Sequence, residues 1–436
     1  MKRNQFLLSV ILVLGSIWTV KAQEEKPNNF NIGVQLRPRA EYRNGYKKPL
    51  FEDDKSSGLI NQRTRLSIDY QREGLSANLS LQNVSIWGEY PYSNAKNSNT
   101  AIYEAWAQLK SENGFFAKFG RQVLHYADGR LLSVADFNQA SRSHDALKFG
   151  YQTNSHQVDA ILAYNQDVDR INGGTYYFGT GIPYKTMQAL YYQNNMISDF
   201  TPSFLFVNVG YEVGNQNLGE TKLANLQTFG TYLTYKPVSR LRLQGNAFYQ
   251  MGERKGISEK ISAYMLTLKA EYDVIKPLKF TAGTDYLSGE EYQSPNGNST
   301  YNSFLPLYGG NHGLYGVMDL FIDDPYNTGM NIGIWDKFLG VSVKPSSKTT
   351  LGLTYHHFST GSDVYRIGEK IKNGLGSEID LQFDYNLMKD VKLTCGYSTF
   401  FGTSTTDYVK GGDHKVWQDW AFVSVIVNPK IFSTKW

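Results

Sequence analysis

Beyond residue 30 the chain alternates apolar and polar residues almost one for one, and that period of two admits strands with one greasy and one wet face. The first run shows it best. Gly33, Gln35, Arg37, Arg39, Glu41 and Arg43 alternate with Ile32, Val34, Leu36, Pro38, Ala40 and Tyr42. In the second run Arg63, Arg65, Ser67 and Asp69 alternate with Thr64, Leu66, Ile68 and Tyr70. Five arginines stand on the wet face of this pair. A soluble sheet would turn that face to water, whereas a membrane barrel would turn it into a lumen.

Connector lengths separate the two cases. Short turns are expected near residues 72–74, 111–114, 153–155, 198–202, 237–239, 274–277, 345–348 and 388–390. Longer polar loops are expected near 45–58, 90–99, 125–142, 168–185, 214–223, 253–258, 289–327, 361–374 and 403–414. Eight turns alternating with nine loops give eighteen strands, with both chain ends on the short-turn side. That is the plan of a bacterial outer-membrane barrel, with short periplasmic turns and long extracellular loops. A sandwich or propeller has no reason to sort its connectors by length. The expected fold is therefore all-β: a single 18-stranded antiparallel transmembrane β-barrel.

Other features agree. Lys2 and Arg3, the apolar stretch Phe6–Val13 and the Val20-Lys21-Ala22 site read as a secretory signal peptide over residues 1–22, leaving 23–436 as one barrel domain. A mean hydropathy of −0.42 looks soluble, but only every second barrel residue meets lipid. Tyr70, Tyr151, Tyr164, Tyr211, Tyr235, Tyr272, Tyr286 and Tyr385 fall at strand ends, where an aromatic girdle would sit. The ending Ile431-Phe432-Ser433-Thr434-Lys435-Trp436 fits a strand recognised by barrel-assembly machinery. Only seven residues, Gln23 to Asn29, separate the leader from strand one, which leaves no room for a plug domain. Residues 186–197 and 328–344 do not choose a face.

The most distinctive segment is Gly120 to Phe149, which mixes Arg121, Arg130 and Arg142 with Asp128, Asp136 and Asp145 around the apolar pair Leu131-Leu132. A loop of that composition is expected to fold against something as a lid or constriction. With its G-R-Q, D-G-R-L, D-F-N-Q and R-S-H-D elements, and with the R-P-R-A-E-Y-R and Q-R-T-R strands before it, this region resembles the alginate-export family of outer-membrane channels. The resemblance is strongest over residues 30–150. It implies an eighteen-stranded barrel passing an anionic polysaccharide through an arginine-rich pore, with Arg37, Arg39, Arg63 and Arg65 as wall cations and Arg130 and Arg142 near the constriction. It does not identify alginate as the solute.

Cations in a narrow, low-dielectric channel favour anions, and arginine suits the task because it stays charged and grips carboxylates with a two-pronged fork. Glu41 and Asp69, with Glu378, Asp380 and Asp384 on strand sixteen, are expected to hold the guanidiniums apart. The same residues would equally serve as a salt-bridge lattice stiffening the wall. Seven scattered histidines, with no G-x-S-x-G and no H-E-x-x-H, give no catalytic set, and His356 and His357 point to opposite faces of one strand. Asp53-Asp54, Asp323-Asp324 and Asp413 match no calcium-loop spacing, so no metal and no cofactor is expected. Tyr301, Phe304, Tyr308 and Tyr315 would either stack on sugars or pack their own loop, and Cys395 reads as a small lipid-facing residue. A net charge of +4 is too dilute over 436 residues for nucleic acid. The expected protein is a non-enzymatic monomer passing anionic carbohydrate or small anionic solutes, surrounded by outer-membrane lipid and lipopolysaccharide. The alternatives are a general diffusion porin and a surface glycan-binding or adhesion protein anchored by its barrel.

Overall fold

The structure, a computed structural model, describes residues 27–89, 100–169, 171–172, 177, 184–215, 220–295, 300–310, 312–321 and 331–436. The signal peptide expected over residues 1–22 and the pair Asp323-Asp324 lie outside them. Strict alternation produces antiparallel strands in chain order: β1 (Asn29–Asn44), β2 (Ser57–Arg72), β3 (Leu75–Ile86), β4 (Thr100–Lys110), β5 (Phe115–Gln122), β6 (His144–Gln152), β7 (His156–Tyr164), β8 (Thr186–Asn194) and β9 (Phe200–Asn215). They continue as β10 (Glu220–Val238), β11 (Leu241–Gly252), β12 (Lys260–Ile275), β13 (Leu278–Leu287), β14 (Ile334–Ser346), β15 (Thr349–Thr360), β16 (Gly374–Met388) and β17 (Val391–Gly402). The last, β18, is Gln418–Val427 continued by Lys430–Lys435.

Each strand pairs with its neighbours in sequence, and β18 closes onto β1, with Ser424 opposite Arg39 and Lys435 opposite Asn29. Pro429 has no N–H to give, so the ladder breaks there, and its carbonyl takes the Val34 N–H at 3.1 Å. Closure leaves no free edge, which hydrocarbon would not tolerate. All eight expected short turns are present, two to five residues long. Gly74 (φ 68°) and Asp390 (φ 62°) occupy the second position of two-residue turns, where a positive φ reverses the chain.

Two expectations change. The loop expected at 214–223 is mostly strand, because β9 and β10 stay paired up to Asn215 and Glu220. Tyr211 is fully buried and faces inward, so it is no part of the girdle. Residues 186–194 showed no polar face for a related reason. The inward side chains of β8 and β9 (Met187, Ala189, Val207, Val209) are covered by loops instead of water.

Those loops form an inner layer. Leu131 and Leu132 of the 123–143 loop, and Phe304, Leu305, Tyr308, Tyr315 and Met318 of the 288–333 loop, are buried with the inward faces of β8–β12 in one core. The outer face instead exposes leucines such as Leu66, Leu81, Leu266, Leu268, Leu351 and Leu381. A paired substitution reads this inside–outside assignment. Leu381→Arg, on the lipid face at the middle of β16, should cost about 2–4 kcal/mol, whereas Gln382→Arg, facing the lumen, should change stability little. Urea unfolding from lipid vesicles measures both, and equal losses would contradict the assignment.

Candidate functional site

The arginines of β1 and β2 meet across the strand pair, Arg37 opposite Arg63 and Gln35 opposite Arg65. Alternation sends Arg37, Arg39, Arg43, Arg63 and Arg65 inward, and all of these but Arg43 reach the 123–143 loop. Arg37 donates to the Gln139 side chain at 2.8 Å, to the Asp136 carbonyl at 2.7 Å and to the Asn138 carbonyl at 3.0 Å. Arg63 donates to Asp136 Oδ1 at 2.8 Å, to Ser141 Oγ at 2.7 Å and to Gln35 at 2.8 Å. Asp136 Oδ2 lies 3.3 Å from Arg37, so one carboxylate serves two guanidiniums. Arg39 donates to Glu41 at 2.9 Å and to the Phe137 carbonyl at 2.8 Å, and it stacks 4.2 Å from the centroid of the Phe137 ring. Glu41 holds Arg43 as well, at 2.9 Å. Arg65 is different. It reaches Gln82 and lies 3.6 Å over the Tyr103 ring, with no ion-pair partner among the described residues.

The same loop crosses the lumen. At one end Phe137 stacks on His312 (3.4 Å) and abuts Trp420 and Phe422 of β18. Elsewhere along it, Arg130 forks onto Asp285 of β13 with donors at 2.8 and 3.0 Å and also meets Asp128 at 2.7 Å. The 288–333 loop lies beside it. Leu132 and Tyr308 form a short parallel bridge, and Arg142 donates to the Gly309 carbonyl at 3.0 Å. Gln250 of β11 takes both backbone groups of Leu305, at 2.7 and 2.8 Å. Glu378 of β16 accepts the Met318 N–H at 2.9 Å. Tyr301, Phe304, Tyr308 and Tyr315 are all buried, so they pack the loop and are not a sugar platform.

Some expected pore residues stand elsewhere. Asp145 is out of phase with the inward Ala146, so it points outward and pairs with Arg121 at 3.1 Å on the outer face. Asp69 accepts from Asn78, and Asp384 pairs with Lys392 at 2.9 Å, both nearer the short turns than the arginines. Glu378 and Asp380 touch no arginine of β1 or β2. Glu378 holds the loop backbone, and Asp380 lies 3.5 Å from His356 Nε2. Of the acids expected to space the guanidiniums, Glu41 alone sits among them, joined by Asp136 from the loop.

Lysines near the turns were overlooked because they read as turn polarity. Lys279, Lys344 and Lys392 share the inward phase of Asp285, Asp336 and Ser398, Lys348 sits in the turn before β15, and Lys430 stands opposite inward-facing Gly33. A cleft of about 540 Å³ opens among Lys348, Asn386, Lys392 and Asn428. Among the described residues only Lys392 of these five lysines has an ion-pair partner. Counting back by twos from the buried Asp285 and Asp336 finds Lys279 and Lys344.

Burial works against charge on Asp136, but the hydrogen bond and charge of Arg63, helped by Arg37, outweigh it and hold the carboxyl below its ordinary value. Burial likewise disfavours the Arg130 cation, yet Asp285 and Asp128 hold its pKa above the usual arginine value. A depressed carboxyl stabilises the folded form above its ordinary pKa of about 3.9 and loses that contribution as pH falls through the folded value. The Asp136 tether should therefore be intact at neutral pH and lost below about pH 4. The protection of residues 134–142 against hydrogen exchange, taken relative to the intrinsic exchange rate at each pH, should fall on acidification in the wild type. In Asp136→Asn it should be lowered already at pH 7, by an opening cost of about 1–2 kcal/mol for a side chain that is 53% exposed.

Comparison with known proteins places this architecture. A search of curated proteins finds no match. Similar solved structures include Acinetobacter baumannii OccAB1 (TM-score 0.64, 11% identity, 95% of this chain and 100% of that one). A BenF-like porin from Pseudomonas fluorescens Pf-5 is also similar (0.60, 11%, 92% and 99%), as is Pseudomonas aeruginosa OpdK solved with vanillate (0.57, 10%, 93% and 99%). Identities this low show the shared barrel fold alone. The model of the alginate export family, however, matches residues 19–407. The chain belongs to the alginate export family and is an outer-membrane channel.

Proposed function

We propose that this channel passes anionic solutes passively, acidic oligo- or polysaccharide foremost, through a lumen whose selectivity comes from arginine and lysine. One observation carries the reading. The five arginines that share the inward phase of β1 and β2 (Arg37, Arg39, Arg43, Arg63 and Arg65) meet only two carboxylates, Glu41 and Asp136, within ion-pair distance among the described residues, and Arg65 meets none. The inward lysines nearer the turns add to that excess. In a lumen walled by low-dielectric barrel and lipid, such an excess lowers the barrier for anions and raises it for cations.

Conduction of this kind needs no covalent step. A solute enters by attraction to unpaired cations and passes if it fits beside the inward loops. Arg65, backed by the Tyr103 ring, and Lys118, 3.5 Å over Trp106, each present a cation beside an aromatic face. That pairing suits a sugar acid, whose ring packs on the aromatic while its carboxylate meets the cation. It suits an aryl carboxylate as well. The vanillate bound to OpdK is such a compound, which makes small aromatic acids the second reading.

The arginines differ in what their loss should do. Arg65→Gln removes a charge that has no carboxylate within ion-pair distance and gives up only a long contact to Ser141 (3.5 Å), leaving the Arg37 and Arg63 tethers in place, so the anion-to-cation permeability ratio should fall roughly twofold. Arg63→Gln should also raise open-channel noise, because it frees Asp136 and Ser141. Reversal potentials under a salt gradient in a planar bilayer measure the ratio. A wild type without anion preference would make this a general porin, and a silent one would favour an anchored surface protein.

A further inference from the structure

His357 faces away from its neighbour His356, and the outer wall on which it stands carries polarity that the lumen does not use. Outward residues of four adjacent strands pair in one row: Thr284 of β13 opposite Lys337 of β14, Lys337 opposite His357 of β15, and His357 opposite Ser377 of β16. All four point outward, because Asp285, Asp336, His356 and Glu378 beside them are buried on the inner face. The next outward row toward the short turns is Ala282, Leu339, Tyr355 and Ile379, of which Leu339 is 62% exposed. A lysine, an imidazole and two hydroxyls thus interrupt a greasy wall.

The height of the row says what it meets. His357 stands four residues beyond Leu353, which is paired with Leu381 at the middle of β16. At about 3.3 Å per residue and a tilt of about 40°, that is roughly 10 Å toward the long loops, in an apolar band about 25 Å tall. The row therefore lies at the extracellular edge of the hydrocarbon. Aromatic rings mark the same edge. Trp335 meets Tyr286 at 6.2 Å between centroids, and Phe401, opposite Ser377, meets Trp417 at 5.6 Å.

Lys337 Nζ lies 3.7 Å over the Trp335 ring, and among the described residues no carboxylate stands within ion-pair distance of it. Trp335 is held in turn by its indole N–H, which donates to Thr284 Oγ1 at 2.8 Å. His357 meets the Ser377 hydroxyl through Nδ1 at 3.3 Å, and that hydroxyl shares a 2.8 Å hydrogen bond with Tyr355. Among the described residues Nε2 of His357 has no partner. A cation on the lipid side takes its counter-charge from the layer beside it. In the outer leaflet of an outer membrane, the anions at that height are the phosphates on the sugar headgroup of lipopolysaccharide. A lysine ammonium binds phosphate as a point charge, and hydroxyl and imidazole donors add to it.

We infer that Lys337, His357 and Ser377 bind a phosphate of lipopolysaccharide on the outer wall of β14–β16, with its acyl chains lying on Leu339, Tyr355 and Ile379. The site rests on the barrel's place in the outer membrane and not on which solute passes.

The full chain, purified in detergent, is titrated with fluorescent rough lipopolysaccharide. The wild type should bind it saturably. Lys337→Gln should weaken binding roughly fivefold, the worth of one lysine at a charged lipid surface, whereas Lys337→Arg, which keeps the charge, should stay within about twofold. Lipopolysaccharide stripped of its phosphates should bind the wild type as weakly as the intact molecule binds Lys337→Gln, and that variant should not tell the two apart. Its anion-to-cation permeability ratio should match the wild type, since the side chain faces away from the lumen. Equal binding by wild type and Lys337→Gln would overturn the inference, as would equal binding of intact and dephosphorylated lipopolysaccharide by the wild type. So would displacement by an equal concentration of phosphatidylglycerol, which would reduce the row to a general attraction for anionic lipid. A changed permeability ratio in Lys337→Gln would place the lysine in the lumen and overturn it too.

Discussion

A peptide group left unpaired in hydrocarbon costs several kcal/mol, and every other property of this chain follows from avoiding that cost. The strands must close on themselves, so β18 returns to β1. Closure at eighteen strands makes a cylinder too wide for its own side chains to fill. The remaining space must be closed from the inside, by chain that is not strand. Loops can enter a barrel only if their backbone groups find partners there, and the wall supplies them through polar side chains. Arg37, Arg39 and Arg63 take carbonyls of residues 136–139, Gln250 takes Leu305, and Glu378 takes Met318. Inward polarity is thus first a way of satisfying the loops.

This changes what the arginines mean. A guanidinium with five donors can hold several carbonyls of an inserted loop and still carry its charge. Arg37 holds three loop carbonyls and Arg39 and Arg63 one each, so their charge is partly screened by carbonyls and by Asp136 and Glu41. Arg65 spends few of its donors on the loop, and the lysines nearer the turns spend almost none. Tethering and attraction therefore sort along the lumen, with tethers where the loops cross and unpaired cations below them. On the proposed function, the division between wall lattice and selectivity filter would run residue by residue.

The fold was readable from alternation and connector lengths because both are local consequences of the barrel. A strand with lipid on one side must alternate, and a turn on the short side must be tight whatever the solute. The exceptions have one cause. Residues 186–194, within a stretch that chooses no face, lack a clean polar side because the inserted loops cover their inward side with apolar atoms, and the β9–β10 end, expected as loop, is strand whose inward Tyr211 joins the same core. An inner face that touches a loop follows core rules, and nothing in the strand's own sequence says which loop will arrive.

The site was legible to a smaller depth for the same reason. Alternation gave the direction of Arg37, Arg39, Arg63 and Arg65, because direction is local. The loop partners of Arg37, Arg39 and Arg63 lie 73 to 102 residues away in Asp136 to Gln139, and only the fold brings them together. Asp145 failed where phase was ignored: Ala146 faces inward, so Asp145 cannot. Glu378 and Asp380 were placed on the right face but given the wrong partners, since proximity around a barrel depends on strand tilt and on what fills the middle.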